Sequence, residues 1–524
     1  MKNFFSSLNQ KLSWHVWVLI ACLCIGIFLR TYNFHDWLRF NADQSRDAVV
    51  VSDYLDGTET LPLLGPKAGG TGFRVGPAFY YFQIAGAKIF GNDPDKMAYP
   101  DLLFSLLAIP LLFFFLRKYF DIRTALLLTA IFSVSFYAIK YSRFAWNPNS
   151  LPFWSLLFLS GLHAVMTAKE EAWKGWAVLT GVALGIGVQL HTLSLLLFPM
   201  MTFSAFGYLW YLRKKNLWKM VLVICATALF LNAPQIASEW KTGGENTSAF
   251  LGGIGTKEER GSGLVMNAAK DIVCFSQGNT YIVSSYDSSD TCELTSIKRG
   301  WNIPAFMLGL LLFLGGFGLA IRAYKREAEQ GRKLFLGIFI LYASLTFLLL
   351  LPLANEISMR FFLAIMFMPF VFLGLWSEFL TEKFSKIGSI GAWSIGIILV
   401  AANLLAVQDS FATSAAYLTN SNAGMDNVLL KEVELSSAFI IAHAGEAQMV
   451  AVEGDAKYLF KALKSMQYYT HKAGIKLVQK NKKTDPGMPV FLIENTKSIN
   501  GILENRSDIV SHLSFGRFTI FSLK

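Results

Sequence analysis

The chain has 524 residues, of which 53% are hydrophobic and only 16% charged, with 45 Phe and a mean hydropathy of +0.42. So few charges cannot solvate a globule of this size, which excludes a soluble protein of two or three domains. The formal net charge of +11 is spread over short clusters between apolar runs, which excludes a nucleic-acid surface and fits the retention of basic residues on the cytoplasmic side of a membrane.

The first apolar run, Trp14–Phe28, follows Lys2 and Lys11 and precedes no small-residue cleavage site, so it reads as a retained span. Eleven spans are expected, at 14–30, 98–116, 122–139, 151–168, 175–190, 192–212, 217–234, 301–321, 334–352, 359–378 and 388–407. Five basic connectors fix their sense. Arg117, Lys118 and Arg123 form the first, Lys169 and Lys174 the second, and Arg213, Lys214, Lys215 and Lys219 the third. Arg322, Lys325, Arg326, Arg332 and Lys333 form the fourth, Lys383 and Lys386 the fifth. With a cytoplasmic N-terminus all five lie in the cytoplasm. Reading Gly76–Phe90 as a span would reverse every later cluster. That short stretch, broken by Gly76, Pro77, Gly86 and Lys88, is therefore expected as an interfacial or re-entrant helix, with Phe79, Tyr80, Tyr81 and Phe82 at headgroup level.

Three outer regions remain: a Gly-, Asp- and Pro-rich loop at 31–97, a hydrophilic loop at 235–300 and a tail from 408. The tail loses the hydropathy of the rest. Gln448–Val452, Lys476–Gln479, Val490–Ile493 and Phe515–Phe521 read as strands and Ala456–His471 as a helix. The predicted organisation is a helical polytopic membrane module over 1–407 and a small extracytoplasmic α/β domain over 408–524. Of five cysteines, Cys22, Cys24 and Cys225 lie in apolar runs. Cys274 and Cys292 share the second outer loop, where they are either a disulfide, if that loop faces an oxidising compartment, or two unpaired thiols.

Chemistry concentrates in the first outer loop. Phe40-Asn41-Ala42-Asp43-Gln44-Ser45-Arg46-Asp47 sets two carboxylates and an arginine just beyond the first span, and Arg74-Val75-Gly76-Pro77-Ala78-Phe79-Tyr80-Tyr81 follows. Such a loop offers a carboxylate to take a hydroxyl proton, cations for a departing phosphate and an aromatic edge for a lipid chain. The competing reading is a solvated loop with a structural Asp–Arg pair. Tyr141-Ser142-Arg143-Phe144-Ala145-Trp146-Asn147-Pro148-Asn149 falls on the same predicted side. Asn147 and Asn149 there serve either as sugar-binding amides or as the cap of a Pro-broken helix start. His191 and Arg360 stand at outer span ends. For His191 the alternatives are a structural residue or a site residue, and for Arg360 a phosphate contact or a snorkelling cation. His35 and Asp36 read as loop scaffold.

These motifs resemble the GT-C glycosyltransferases, in particular the protein O-mannosyltransferases and the lipid A aminoarabinose transferase. The resemblance implies a GT-C fold and a polyprenyl-phosphate sugar donor. It implies transfer with inversion to an acceptor hydroxyl on the extracytoplasmic face of a bacterial cytoplasmic membrane. Asp43 matches the family's first acid, which implies the general base. Arg46 matches a basic residue near that acid, and Gly76–Tyr80 stands where a Pro-Pro-Leu-Tyr-like stretch is usual. Arg46, Asp47, Arg74, Tyr80, Tyr81, Arg143, Asn147, Asn149, His191 and Arg360 are the expected donor-binding set. Gln44 replaces the family's second acid, and asparagines replace a later one, so no metal ligands are assigned and the sequence leaves a divalent metal open. The sequence leaves open the sugar and the acceptor, whether protein, lipid or polysaccharide. Two rival readings are a transporter or lipid flippase, disfavoured by the scarcity of ionisable residues deep in the predicted spans, and a non-catalytic GT-C relative.

Overall fold

A computed structural model describes residues 13–168, 172–258, 263–286, 292, 302–424, 427–481 and 487–524. The 18 residues of the Trp14–Thr31 helix reach about 27 Å, close to the thickness of a hydrocarbon core. By length and apolarity, Pro94–Leu116, Thr192–Tyr211, Ile303–Arg326, Gln330–Leu353 and Met368–Thr419 also qualify, giving six among the described residues. Two bent pairs, Ile122–Val134 with Phe136–Ser142 (50°) and Leu217–Leu231 with Ala233–Thr242 (63°), raise this to eight. Eleven were expected. Part of the difference lies in Leu151–Thr167 and Trp173–Gly187, helices of 17 and 15 residues, short of the roughly 20 a span needs. They pack tightly all the same: a Cβ at Gly181 would stand 2.8 Å from the Ile224 carbonyl of the Leu217–Leu231 helix, the small-residue contact usual between membrane helices. The rest lies in Met368–Thr419, a 52-residue run that reverses at Ser385 (φ 50°, ψ −125°). The reversal brings the Leu380 carbonyl to 1.9 Å from where a Cβ at Gly388 would be, so only glycine fits there. Its two legs correspond to the expected spans at 359–378 and 388–407, except that 359–367 begins with the 3-10 turn Met359–Leu363.

The basic connectors meet at one end of the bundle. Arg322 and Arg326 pair with Glu382 at 3.0 and 3.2 Å, and Arg332 reaches Glu327 at 3.2 Å while lying 4.5 Å over the Tyr119 ring. Lys214 Nζ donates to the Ala168 carbonyl at 3.1 Å, and His163 bonds the Gly331 carbonyl at 2.9 Å. Lys2, Lys11 and Lys169 lie outside the described residues. The opposite ends of the same helices carry 146–148, 191–196, 348–353 and 360–361.

The first outer loop begins with the Ala42–Leu55 helix and continues into Ala78–Phe90. At 13 residues the second spans about 20 Å, too short to cross. Its aromatics are not at the lipid surface as expected. Phe79 and Tyr80 are 1% and 2% exposed, Tyr81 donates to the Pro62 carbonyl and Phe82 stacks on Trp154. Phe79 and Tyr80 thus fill core and Tyr81 and Phe82 are half-buried, while Ile89 and Phe90 at the helix end are exposed. The second outer loop contains the helices Glu245–Glu258 and Leu264–Ser284, and Cys274 is bonded to Cys292.

The C-terminal residues build a five-stranded sheet in the order β2-β1-β3-β5-β4, from β1 Met449–Gly454, β2 Lys476–Gln479, β3 Val490–Asn495, β4 Ile509–Phe515 and β5 Phe518–Leu523. β1 pairs in parallel with β2 and β3, and β5 antiparallel with β3 and β4. The expected strand at Phe515–Phe521 is a hairpin corner, turned at Gly516 (φ 51°), because only glycine enters that conformation without strain. The preceding helix runs on to Thr419, past the boundary expected at 407. A fully buried ion pair ties the unit together. Arg517 meets Glu432 at 2.8 Å, both 0% exposed, bonds the Gly424 and Asn427 carbonyls and lies 3.7 Å over the Tyr417 ring at the end of the long helix. Removing one partner strands a buried charge, so Arg517→Met is expected to cost about 3–5 kcal/mol. Thermal unfolding in detergent measures it; an unchanged midpoint would show that the pair contributes nothing.

Candidate active site

Asp43 opens on a helix N-terminus. It lies in the first turn of Ala42–Leu55, where the helix dipole favours a carboxylate. Gln44 makes that start: its Oε1 accepts the Asn41 N–H at 3.2 Å, and the side chain is buried. The residue standing where a second acid was expected is thus spent on the backbone.

Arg46 is divided between two acids. Its Nη1 donates to Asp43 at 3.1 Å, while Nε and Nη2 fork onto Asp47 at 2.9 and 3.1 Å. The two carboxylates differ in surroundings: Asp43 is 57% exposed and Asp47 0%. Tyr80 adds a hydrogen bond to Asp47 at 3.0 Å. Burial pushes the Asp47 carboxyl up to about 6, with Arg46 and Tyr80 pulling it back. Burial draws the Arg46 guanidinium down, and the Asp47 charge more than restores it. Asp47 is consequently a buried anchor for Arg46, and Arg46 is the side chain that orients Asp43.

Above Asp43 lies a cavity of about 670 Å³. Of the expected set it is lined by Asp43, Arg46, Asn147, His191 and Arg360. Asn147 is fixed by donating to the Leu190 carbonyl at 2.6 Å. His191 caps the Thr192–Tyr211 helix through Leu193 N–H and sets its ring edge-on to Phe361. The Arg360 guanidinium lies 5.5 Å from the Phe361 ring centroid. His191 thus caps a helix and lines the cavity at once, and Arg360 lines the same cavity.

Six expected site residues do not line the cavity, each because the fold uses it elsewhere. Asp47 and Tyr80 sit beneath Arg46. Tyr81 holds Pro62. Arg74 braces a hairpin-like strap: its Nη1 donates to the Gly65 carbonyl at 3.3 Å, and its backbone exchanges two hydrogen bonds with the Asn246 side chain. Arg143 is 8% exposed and donates to the carbonyls of Leu29, Arg30, Tyr32 and Asn33, closing the end of the first span. Asn149 donates to the Phe144 carbonyl within its own turn.

The strap itself was missed. Lys67-Ala68-Gly69-Gly70-Thr71-Gly72-Phe73 lines the cavity, closed at its base by the Lys67–Arg74 bridge. The glycine run was visible, but a glycine loop names no chemistry until its place is known. Trp146 also faces the cavity, its backbone N–H held by the buried Asp101 carboxylate at 3.0 Å. The remaining wall is apolar, with Leu193, Leu196, Leu348, Leu349, Pro352 and Leu353. Leu196 and Leu348 are 39% and 57% exposed, so this wall reaches the outer surface of the bundle. Among the described residues no group of three or more His, Cys, Asp or Glu could hold a metal ion. With Gln44 capping a helix and Asp43 facing Arg46, this donor set does not suit a divalent cation.

Residues 74–237 match the family model described as dolichyl-phosphate-mannose-protein mannosyltransferase; Asp43 lies before that segment. ArnT of Cupriavidus metallidurans, in the apo state, has the same overall fold with a TM-score of 0.52 at 10% identity, over 97% of each chain. The Archaeoglobus fulgidus oligosaccharyltransferase, in a complex with Zn and sulfate, gives a TM-score of 0.54 at 12% identity, over 93% of this chain and 68% of that one. No curated protein matches in sequence. The chain shares the fold of these two solved structures, in a multi-pass membrane protein.

The site carries its own titration. Asp47, pushed up to about 6 by burial, is expected to take up a proton as pH falls through that value and so to loosen the Arg46 fork. An infrared carboxylic-acid band should grow in over that range and be missing from Asp47→Asn. A midpoint near 4, the ordinary aspartate value, would mean that the Arg46 pull outweighs burial.

Proposed function

We propose that this protein transfers a sugar from a polyprenyl-phosphate carrier to an acceptor hydroxyl, with Asp43 as general base. The observation that carries the reading is one cavity with two kinds of wall residue, an acid and cations (Asp43, Lys67, Arg360) and exposed leucines (Leu196, Leu348). A sugar phosphate matches the first kind and a polyprenyl chain the second. The matched family model, whose name specifies a dolichyl-phosphate-linked mannose donor, supports the same donor class.

The step balances without a co-reactant. Asp43 accepts the hydroxyl proton while the acceptor oxygen bonds the anomeric carbon from the face opposite the phosphate. The anomeric C–O bond breaks, its electron pair leaves on the lipid phosphate, and the centre inverts. Arg360 and Lys67 neutralise that developing charge, a task for fixed cations in a partly dehydrated cavity. Arg46 is committed to the two aspartates and instead keeps Asp43 aimed. Asn147, His191 and Trp146 bound the space for the sugar. The cavity end faces the extracytoplasmic side of a bacterial cytoplasmic membrane, and the basic end the cytoplasm, following the sense of the basic connectors. The transmembrane module passes into the C-terminal α/β unit at the end of the long helix near Thr419.

Asp43→Asn tests the reading, with transfer from a polyprenyl-phosphate-linked sugar as the assay. Turnover should fall by about 10²–10⁴, the usual contribution of a general base. Arg360→Ala should lower it by roughly 10²–10³. Near-normal turnover of correctly inserted Asp43→Asn protein would sink the assignment.

A further inference from the structure

The C-terminal unit grips the chain that leads into the Asp43 helix. Leu430 N–H donates to the Leu38 carbonyl at 2.8 Å and Phe40 N–H to the Val428 carbonyl at 3.2 Å, completing a bridge between Arg39 and Leu429. Ser465 donates to the Phe40 carbonyl at 2.7 Å. Asn41 and Asp43 follow at once, so a shift of this unit is passed to Asp43 through three residues of backbone.

His35 spans the same junction. Its Nδ1 lies 3.2 Å from Asp95 in the first outer loop, and its Nε2 3.2 Å from Glu434 on the Leu430–His443 helix. Leu430 and Glu434 are one helical turn apart and share a face, so the backbone bridge and the imidazole contact fasten the same side of that helix. We propose that His35 is a positioning residue for the Asp43 centre, locking the C-terminal unit against the first outer loop and so fixing the entry to the catalytic helix. This rests on the reading of Asp43 as the base.

The lock needs both ring nitrogens. An imidazolium donates to two carboxylates; a neutral ring has one N–H and serves one. The surrounding charges are accounted for. Asp95 also takes Lys96 Nζ at 2.7 Å, and Lys96 holds Tyr99. Glu434 also takes the Tyr469 hydroxyl at 3.3 Å, with Lys431 at 3.9 Å. Asp36 and Arg39 flank His35 in sequence, and Asp93 acts on Tyr469 from the turn before Asp95. Burial lowers the His35 value, but Glu434 and Asp95 together raise it above the ordinary one. The lock is therefore complete below the ordinary histidine range and is lost as pH rises through the raised value.

The test is backbone hydrogen exchange of residues 38–46 in the full-length protein, corrected for intrinsic rates, at about pH 6 and pH 9. The wild type should be protected at the lower pH and loosened at the higher. His35→Asn should exchange about tenfold faster at pH 6, whereas His35→Arg, a permanent cation, should stay protected at both. Glu434→Gln should behave like His35→Asn. In the sugar-transfer assay, His35→Asn should lower kcat about tenfold with the donor KM unchanged, and His35→Arg should restore it and flatten the alkaline limb. Wild-type exchange in His35→Asn would overturn the proposal. So would faster exchange with kcat and pH profile unchanged, which would mark a structural tie only. An active Asp43→Asn would instead overturn the reading beneath it.

Discussion

Arg46 must satisfy two carboxylates in different dielectric surroundings, and the active end of the molecule is arranged around that division. Asp47 is shut away with Tyr80 and cannot reach solvent or substrate. Its charge is tolerable only because the guanidinium forks onto it. The fork fixes the direction of the remaining Nη1, and through it the carboxylate of Asp43. Asp43 can be exposed and still oriented because the rigid half of the trio is buried.

That trio is only as steady as its helix. The Ala42–Leu55 start is capped by Gln44 from within and held from outside by the 428–430 segment. Ser52 further along the same helix meets the Tyr468 hydroxyl at 3.2 Å. The sheet unit and the first outer loop thus act as one body around the turn that carries Asp43, although nearly 400 residues separate them in sequence.

The legible part of the sequence was what local chemistry and hydropathy encode. Asp43 stood out as an acid just past a span, and charge asymmetry placed Asn147, His191 and Arg360 on its side, where they do share a cavity. Arg143, Arg74 and Asn149 read as site residues because a charged or amide side chain near a site looks functional in a string of letters. Their partners are carbonyls, which no sequence pattern reveals. Lys67 was passed over for the opposite reason, since nothing local says that a glycine strap folds back over a distant helix end. The span count differed where tertiary packing lets short helices such as Trp173–Gly187 stand in the bundle. The pairing of Leu38 with Leu430 is purely long-range.

Under the proposed function, the exposed leucines of the cavity wall have a kinetic consequence. A carrier lipid entering past Leu196 and Leu348 arrives by diffusion in the plane of the bilayer, so the concentration it presents is a mole fraction of the surrounding lipid. Saturation would then depend on how much carrier the membrane holds and how other long-chain lipids compete for the same gap. Diluting the sample in water would leave it unchanged. On this account the wall between two helices makes the surrounding membrane part of the rate law.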